Sequence, residues 1–470
     1  MKLTKIALAL AAISATPAFA VNIITQAPAV SDTNIIYISG ASALSGTVGG
    51  VVTSLCAGTV TKYIDDKDGK QDAAYKCSSA AAGVGFTAGT PFILVKSDEN
   101  GSFNGVGPVV NQGTDASGAN TGGLNFINLT NCTATAPLTC NYASAPKVIP
   151  HAGLTDVDSK IWQGRGQFAP TTTAFQTSAG FAAQGFGVAI TEVLYTALQS
   201  KQFAEGKLPG CATIPNFTPG VCQPSISREQ YTSIASQTGG YHTDWAPIIG
   251  PVGAGQAVNL CRRVSTSGTQ ASSDTYFLSN PCANASPNFG KLSPATAADT
   301  AAGAFHVLEN SSTGNVKSCL SFHNNGVDDP KTTNNEATEG KYAIGVVSLE
   351  NATEVGWKFA KLSNVSPDLD TKQRQAVIDG EYDFAFEFEA LWRNGAVPTP
   401  FPAPGITPFA GLDLKRTAFM NAFVGKLSDP TQVDLRGISI VPGTFDNATY
   451  PNHVGKATRF GNACQPFQMF

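Results

Sequence analysis

Cys261-Arg262-Arg263-Val264-Ser265-Thr266-Ser267-Gly268-Thr269-Gln270 is the loop of a strand–loop–helix unit. Ala257, Val258 and Leu260 supply a short apolar run before it, and Ala271, Thr275 and Leu278 follow at helical spacing. Ser267 and Thr269 both qualify as N-terminal caps, and Gly268 lets a backbone N–H come close to a ligand. The start of a helix carries unpaired N–H donors and a partial positive charge, which attract anions. Arg263, four residues before Ser267, adds a planar fork that can hold two oxygens at once. These residues together write an oxyanion pocket. Taken alone, they also fit a Ser/Thr-rich turn that caps an ordinary helix.

The rest of the chain repeats the unit. Asn34 to Ser39 is a short apolar run that enters Gly40-Ala41-Ser42-Ala43, after which Leu44, Val48, Val51 and Leu55 recur at helical spacing. Pro91 to Val95 is a second strand, followed by polar Lys96 to Asn100 and a small-residue turn with Gly101, Ser102 and Gly105. Val148-Ile149 leads to His151-Ala152-Gly153-Leu154-Thr155-Asp156, where Asp156 follows a Gly-x-Thr turn and could be an Asx-type cap. Gly185 to Ile190 is a strand, and Thr191 opens a helix through Gln199. Ser227-Arg228-Glu229-Gln230 is a capping-box pattern. Trp245 reads as core, and Tyr342 to Val347 as another buried strand. Phe419, Phe423 and Leu427 mark a helix that stops before Ser428-Asp429-Pro430. Alternating strands and helices with Gly/Ser turns predict an α/β protein whose ligands sit at the carboxyl ends of strands. The polar stretch from Gln167 to Ala179 and the alternating stretch Tyr382 to Leu391 are candidate crossings between two domains. Residues 111–146, rich in Thr, Asn, Gly and Ala, read as a surface insertion, and Gly395 to Pro408 as a Pro-rich loop.

Residues 1–20 carry a basic start at Lys2 and Lys5, an apolar core from Ile6 to Ile13 and a small-x-small site at Ala18-Phe19-Ala20, the pattern of a secretory signal. Removing it takes two lysines from the 30 basic residues and leaves 28 against 34 acidic ones, a net charge of −6 on about 450 residues. The absence of a cysteine just after the cleavage site argues against a lipid anchor, and the best spanning candidate, Phe181 to Leu198, is interrupted by Gln184, Thr191 and Glu192. The expected location is therefore periplasmic or extracellular. With 14% charged residues and an acidic balance, no nucleic-acid partner is expected.

Ten cysteines, an even number in an oxidising compartment, imply disulfides. Pairing in sequence order gives Cys56 with Cys77, Cys132 with Cys140, Cys211 with Cys222 and Cys261 with Cys282, leaving Cys319 for Cys464. There is no C-x-x-C and the five histidines are scattered, so neither metal nor cofactor is expected.

The order Gly-x-Ser-Ala, Gly-Ser, Gly-x-Thr-Asp, Arg-x-x-x-Ser-Gly-Thr and Ala-Ile-Gly-Val resembles the phosphate-binding proteins of bacterial phosphate transporters, within the type II periplasmic binding protein fold. The resemblance implies a two-domain α/β fold with mixed sheets flanked by helices, to which this chain would add disulfide-bonded insertions. Residues 21–175 with 390–470 would form domain one, and 176–389 domain two. By this likeness Ser42, Leu44, Ser45 and Ser102 would offer N–H groups and hydroxyls, and Asp156 would accept a ligand proton. Arg263, Ser267, Gly268 and Thr269 would close from the other domain. The partners implied are phosphate or a related oxyanion and an inner-membrane ABC permease. Leu44 departs from the pattern, where the family has a hydroxyl, as do the long insertions and the cysteine count. Two functions follow: an exported oxyanion-binding protein, or an extracellular adhesion or structural protein that keeps the scaffold. An enzyme is not expected, since there is no Gly-x-Ser-x-Gly elbow and no histidine near the Ser-Gly-Thr motif; His151 and His242 could reach it only by folding.

Overall fold

A computed structural model describes residues 20–66, 72–99, 101–110, 123–142, 147–165, 175–236, 244–282, 305–330, 336–393 and 414–470. The expected signal segment to residue 19, the expected Pro-rich loop at 395–408 and His242 lie outside these residues. The architecture is mixed α/β. A 15-stranded mixed sheet runs through the described residues and helices flank it.

The strand Ile35–Gly40 pairs in parallel with Phe92–Ser97 on one side and Ala152–Thr155 on the other. Nearly every residue of these three strands is buried, in keeping with the apolar runs of the first two. Val258–Arg263 likewise lies in parallel between Phe305–Asn310 and Ala343–Ser348. Two long strands join the two parallel groups. Phe175–Thr191 spans 17 residues and is antiparallel to both Ala343–Ser348 and Ala385–Arg393. Ala385–Arg393 then pairs with Ala152–Thr155. The register shift between Ala179 and Ala183 bends the long pair where Gly180 takes a φ of +70°.

Four hydrophobic clusters form among the described residues, the smallest being Leu208 with Cys211 and Cys222. The largest packs Phe186, Val188 and Ile190 with Leu260, Phe277, Leu320 and Trp357. Trp245 is fully buried within it and donates its indole N–H to Ala257 O at 2.9 Å. Phe103, Val109, Val157, Trp162 and Ala463 also reach into this core, although all five fall in the expected first domain. The second core holds Ile36, Leu44, Val51, Phe181, Phe388, Phe419 and Phe423. The third contains Leu124, Phe126, Ile127, Leu129, Cys132 and Cys140 packed on Ile23 and Tyr63. The described part of residues 111–146 is thus not a purely superficial insertion; its sparse apolar residues gather into a core of their own.

Helix ends follow their sequence signals. Thr191 accepts from Leu194 N at the start of Glu192–Ala204, and Ser227 with Gln230 forms both halves of a capping box. Leu414–Leu427 buries Phe419, Phe423 and Leu427 on one face, as their spacing predicts.

All ten cysteines are paired. Cys56–Cys77, Cys132–Cys140 and Cys211–Cys222 are the neighbour pairs expected. The other two pairings differ from sequence order: Cys261 joins Cys319, and Cys282 joins Cys464. The reason is packing. Cys261 lies on the strand against which the helix Thr313–Asn325 rests, whereas Cys282 sits beyond the far end of Gly268–Leu278. There it meets the chain's last segment, held by Arg459 donating to Ala385 O and Asp383 O.

Candidate functional site

The site forms where the strands Phe92–Ser97, Ala152–Thr155, Val258–Arg263 and Ala343–Ser348 end. Each is followed within two residues by a polar side chain: Asp98, Asp156, the Ser265–Ser267 turn and Glu350. A backbone approach sets the geometry of the first two. Gly153 lies directly on Gly105, close enough that a Cβ on Gly153 would strike the Gly105 backbone. The short helix Gly101–Gly105 therefore rests on the strand end and brings Ser102 to Asp156, whose N–H donates to Ser102 Oγ at 3.2 Å.

From the opposite side comes the start of the helix Gly268–Leu278. Ser267 occupies the N-cap position, but its side chain makes no capping bond. Gly268 presses against Asp156 and Ser102: a Cβ there would fall under 3.0 Å from Asp156 Oδ2 and Ser102 Oγ, and 2.7 Å from Asp156 Cβ. Phe103 N donates to Thr266 O at 3.1 Å, and Gly101 lies beside Ser267. Arg165 completes the seam with a buried pair to Asp274 at 2.5 Å and a bond to Ser265 O.

Arg263 is 6% exposed; its Nη1 donates to Thr313 Oγ1 at 2.9 Å and its Nη2 to Ser311 O at 3.0 Å, while Nε has no hydrogen-bond partner among the described residues. Asp156 Oδ1 is also buried with no hydrogen-bond partner among those residues. Burial raises the Asp156 carboxyl to about 6, against the hydrogen bond from Ser102 and the charges of Arg263 and Lys96. Burial lowers Arg263 to about 10, with Asp156 and Glu350 opposing the shift. Burial, then the charge of Asp156, pushes partly covered Glu350 up to about 7, and Ser348 Oγ donates to it at 3.1 Å.

Ser102, Asp156, Arg263 and Gly268 thus converge in one seam. Ser45 reaches it indirectly, donating to Asp98 Oδ2 at 2.5 Å, and Asp98 pairs with Lys96. Ser42 is exposed, Leu44 is a fully buried member of the second core, and Ser267 and Thr269 are buried at the helix start. His151 stands apart: its Nδ1 accepts from Tyr37 N at 2.9 Å, a structural role.

Sequence reasoning passed over Lys96, Asp98 and Glu350. Lys96 is 1% exposed and donates to Gly40 O at 2.6 Å and Ala41 O at 3.3 Å, so it ties down the end of Ile35–Gly40. All three follow or end an apolar strand run, a position where charged side chains are ordinarily solvated, so the run alone does not single them out. Among the described residues, no helix is long and apolar enough to cross a membrane.

No family model matches the chain, and no curated protein matches it. Among solved structures it is similar to a Clostridium perfringens protein assigned as a phosphate ABC transporter substrate-binding protein, with phosphate bound. That likeness covers 86% of this chain and 99% of the other at 11% identity, with a TM-score of 0.38.

Proposed function

We propose that the chain is an exported solute-binding protein that takes phosphate or a similar oxyanion in the seam between Asp156 and Arg263. One observation carries this reading: a buried carboxylate oxygen and a buried guanidinium nitrogen, both without hydrogen-bond partners among the described residues, lie beside one another's charge at the ends of strands. Such groups are costly to bury unless something completes them. A ligand that gives a proton to Asp156 and takes hydrogen bonds from Arg263 would complete both. Hydrogen phosphate and arsenate carry that proton near neutral pH, and sulfate does not, so Asp156 and Glu350 would select against sulfate. The lobes proposed are 21–175 with 390–470 and 176–389, with Phe103, Val157, Trp162 and Ala463 as first-lobe residues that reach into the second lobe's core. Ten paired cysteines support an oxidising location, periplasmic or extracellular, where a permease would be the partner.

A second reading, a surface or matrix protein that keeps the scaffold without transport, is favoured by the tightness of the seam. Gly268 packs on Asp156 and Ser102, Arg165 bridges to Asp274, and Cys282–Cys464 crosses between the proposed lobes. Calorimetry on protein stripped by unfolding with its disulfides intact separates the two. The binding reading expects phosphate and arsenate to bind and sulfate to bind more weakly. It expects Arg263→Ala to abolish all three, because loss of one partner of a buried charged contact costs roughly 2–5 kcal/mol. Asp156→Asn should weaken phosphate and narrow its lead over sulfate. A parent that binds none of these anions transfers the case to the scaffold.

A further inference from the structure

The Cys261–Cys319 disulfide lies in the largest core beside a histidine that the seam does not use. Cys319 and His323 are four residues apart on the helix Thr313–Asn325 and so share a face, and Cys261 meets that face from the strand Val258–Arg263. Cys261, Cys319 and His323 each bring one metal-ligating atom to within 4.8 Å of the others. His323 is completely buried. Its Nδ1 lies 2.8 Å from Gly340 O; a carbonyl only accepts, so Nδ1 carries the hydrogen and Nε2 the lone pair. Nε2 has no hydrogen-bond partner among the described residues. A backbone carbonyl on one imidazole nitrogen and a free lone pair on the other is the arrangement that fixes a metal-ligating histidine. Glu339 Oε2, 3.9 Å from Nε2, is within reach of a fourth position.

We propose that the reduced chain holds a thiophilic divalent cation of the zinc class between Cys261 Sγ, Cys319 Sγ and His323 Nε2, and that formation of the Cys261–Cys319 disulfide expels it. Two thiolates and one imidazole are the donor set that zinc prefers over calcium or magnesium. The exchange balances. The two metal-bound thiolates give two electrons to the disulfide of a thiol oxidant, their S–S bond forms, and the oxidant's S–S bond breaks to leave two thiolates. The cation departs with its charge, and no proton is required. The cation would hold strand and helix together until oxidation replaces it with a covalent bond.

The test uses the full chain, reduced without oxygen by a phosphine in the presence of chelator, desalted and titrated with Co²⁺. The expected result is a thiolate-to-cobalt charge-transfer band that saturates at one ion per chain and is abolished by added Zn²⁺. His323→Gln, which can still hydrogen-bond Gly340 O, should weaken binding by more than about 100-fold, beyond what loss of a supporting contact alone does. Cys319→Ser should remove the band, whereas the Cys211→Ser, Cys222→Ser double variant should keep it. Disulfide oxidant added to the zinc-loaded chain should release one zinc per Cys261–Cys319 bond formed, read with a chromogenic chelator. The proposal is overturned by a reduced chain of native circular dichroism that lacks the band, or by a band unchanged in His323→Gln. It is overturned equally if reduction abolishes the native circular dichroism and zinc does not restore it.

Discussion

Replacing Gly268 by alanine tests the seam with one methyl group. Two effects oppose each other. Gly→Ala within or at the start of a helix normally stabilises by about 0.4–1 kcal/mol, because the unfolded chain loses freedom. At Gly268, however, the new Cβ meets Asp156 Oδ2 and Ser102 Oγ under 3.0 Å and Asp156 Cβ at 2.7 Å. Neither neighbour can swing away freely, since Ser102 is 0% and Asp156 6% exposed. Overpacking of this kind costs about 1–3 kcal/mol, so the clash outweighs the entropy gain and the net is a loss of about 1–2 kcal/mol. Gly425, in the helix Leu414–Leu427, is the control: a Cβ there meets nothing within 4 Å. Gly425→Ala should therefore raise the melting temperature while Gly268→Ala lowers it. Scanning calorimetry resolves this, at roughly 2–4 °C per kcal/mol for a cooperative unit of 150–250 residues. If Gly268→Ala stabilises as Gly425→Ala does, the helix start does not rest on Asp156, and the seam is wrongly drawn.

Asp156 also gives a pH signature. Its folded carboxyl titrates at about 6 against 3.8 unfolded, so the folded state holds the proton more tightly and stability declines as pH rises from about 4 to 6. At pH 7 the penalty is on the order of 3 kcal/mol, and Asp156→Asn should recover much of it there but little at pH 4; equal effects at both pH values would contradict the assignment. Peptide mapping of unreduced protein should recover Cys261 linked to Cys319 and Cys282 linked to Cys464. Their sequence separations of 58 and 182 residues imply, in the chain-entropy picture, about 4 and 5 kcal/mol of stabilisation. Loss of the second bridge should lower the melting temperature at least as much as loss of the first.

The elements with a clear apolar period were legible in the sequence. Ile35–Gly40, Val258–Arg263, Ala343–Ser348 and Leu414–Leu427 fall where their patterns put them, because burial of one helix face or two sheet faces leaves a local trace. Ala152–Thr155 reads as a turn in sequence and is a strand in the fold. Gly153 is small there because the Gly105 backbone lies on it, a contact 48 residues away that no local pattern carries. Ser102, Asp156, Arg263 and Gly268 could be picked out by motif, whereas Lys96 and Glu350 could not, since a lysine or glutamate after a strand is ordinarily solvated. Cysteine pairing failed where it depended on which helix rests on which strand: Cys261 is bonded to Cys319, which is farther from it in sequence than Cys282.

The strand Phe175–Thr191 contributes Phe181 and Ala182 to one core and Phe186, Val188 and Ile190 to another, and its partner Ala385–Arg393 also serves both, with Phe386 and Leu391 in one and Phe388 and Ala390 in the other. The two halves are therefore not interchangeable cassettes. A splice that grafted either half onto a foreign protein would sever both strands mid-ladder and strip each core of part of its wall. Diversification of this architecture is left to substitution and to growth of the connecting segments.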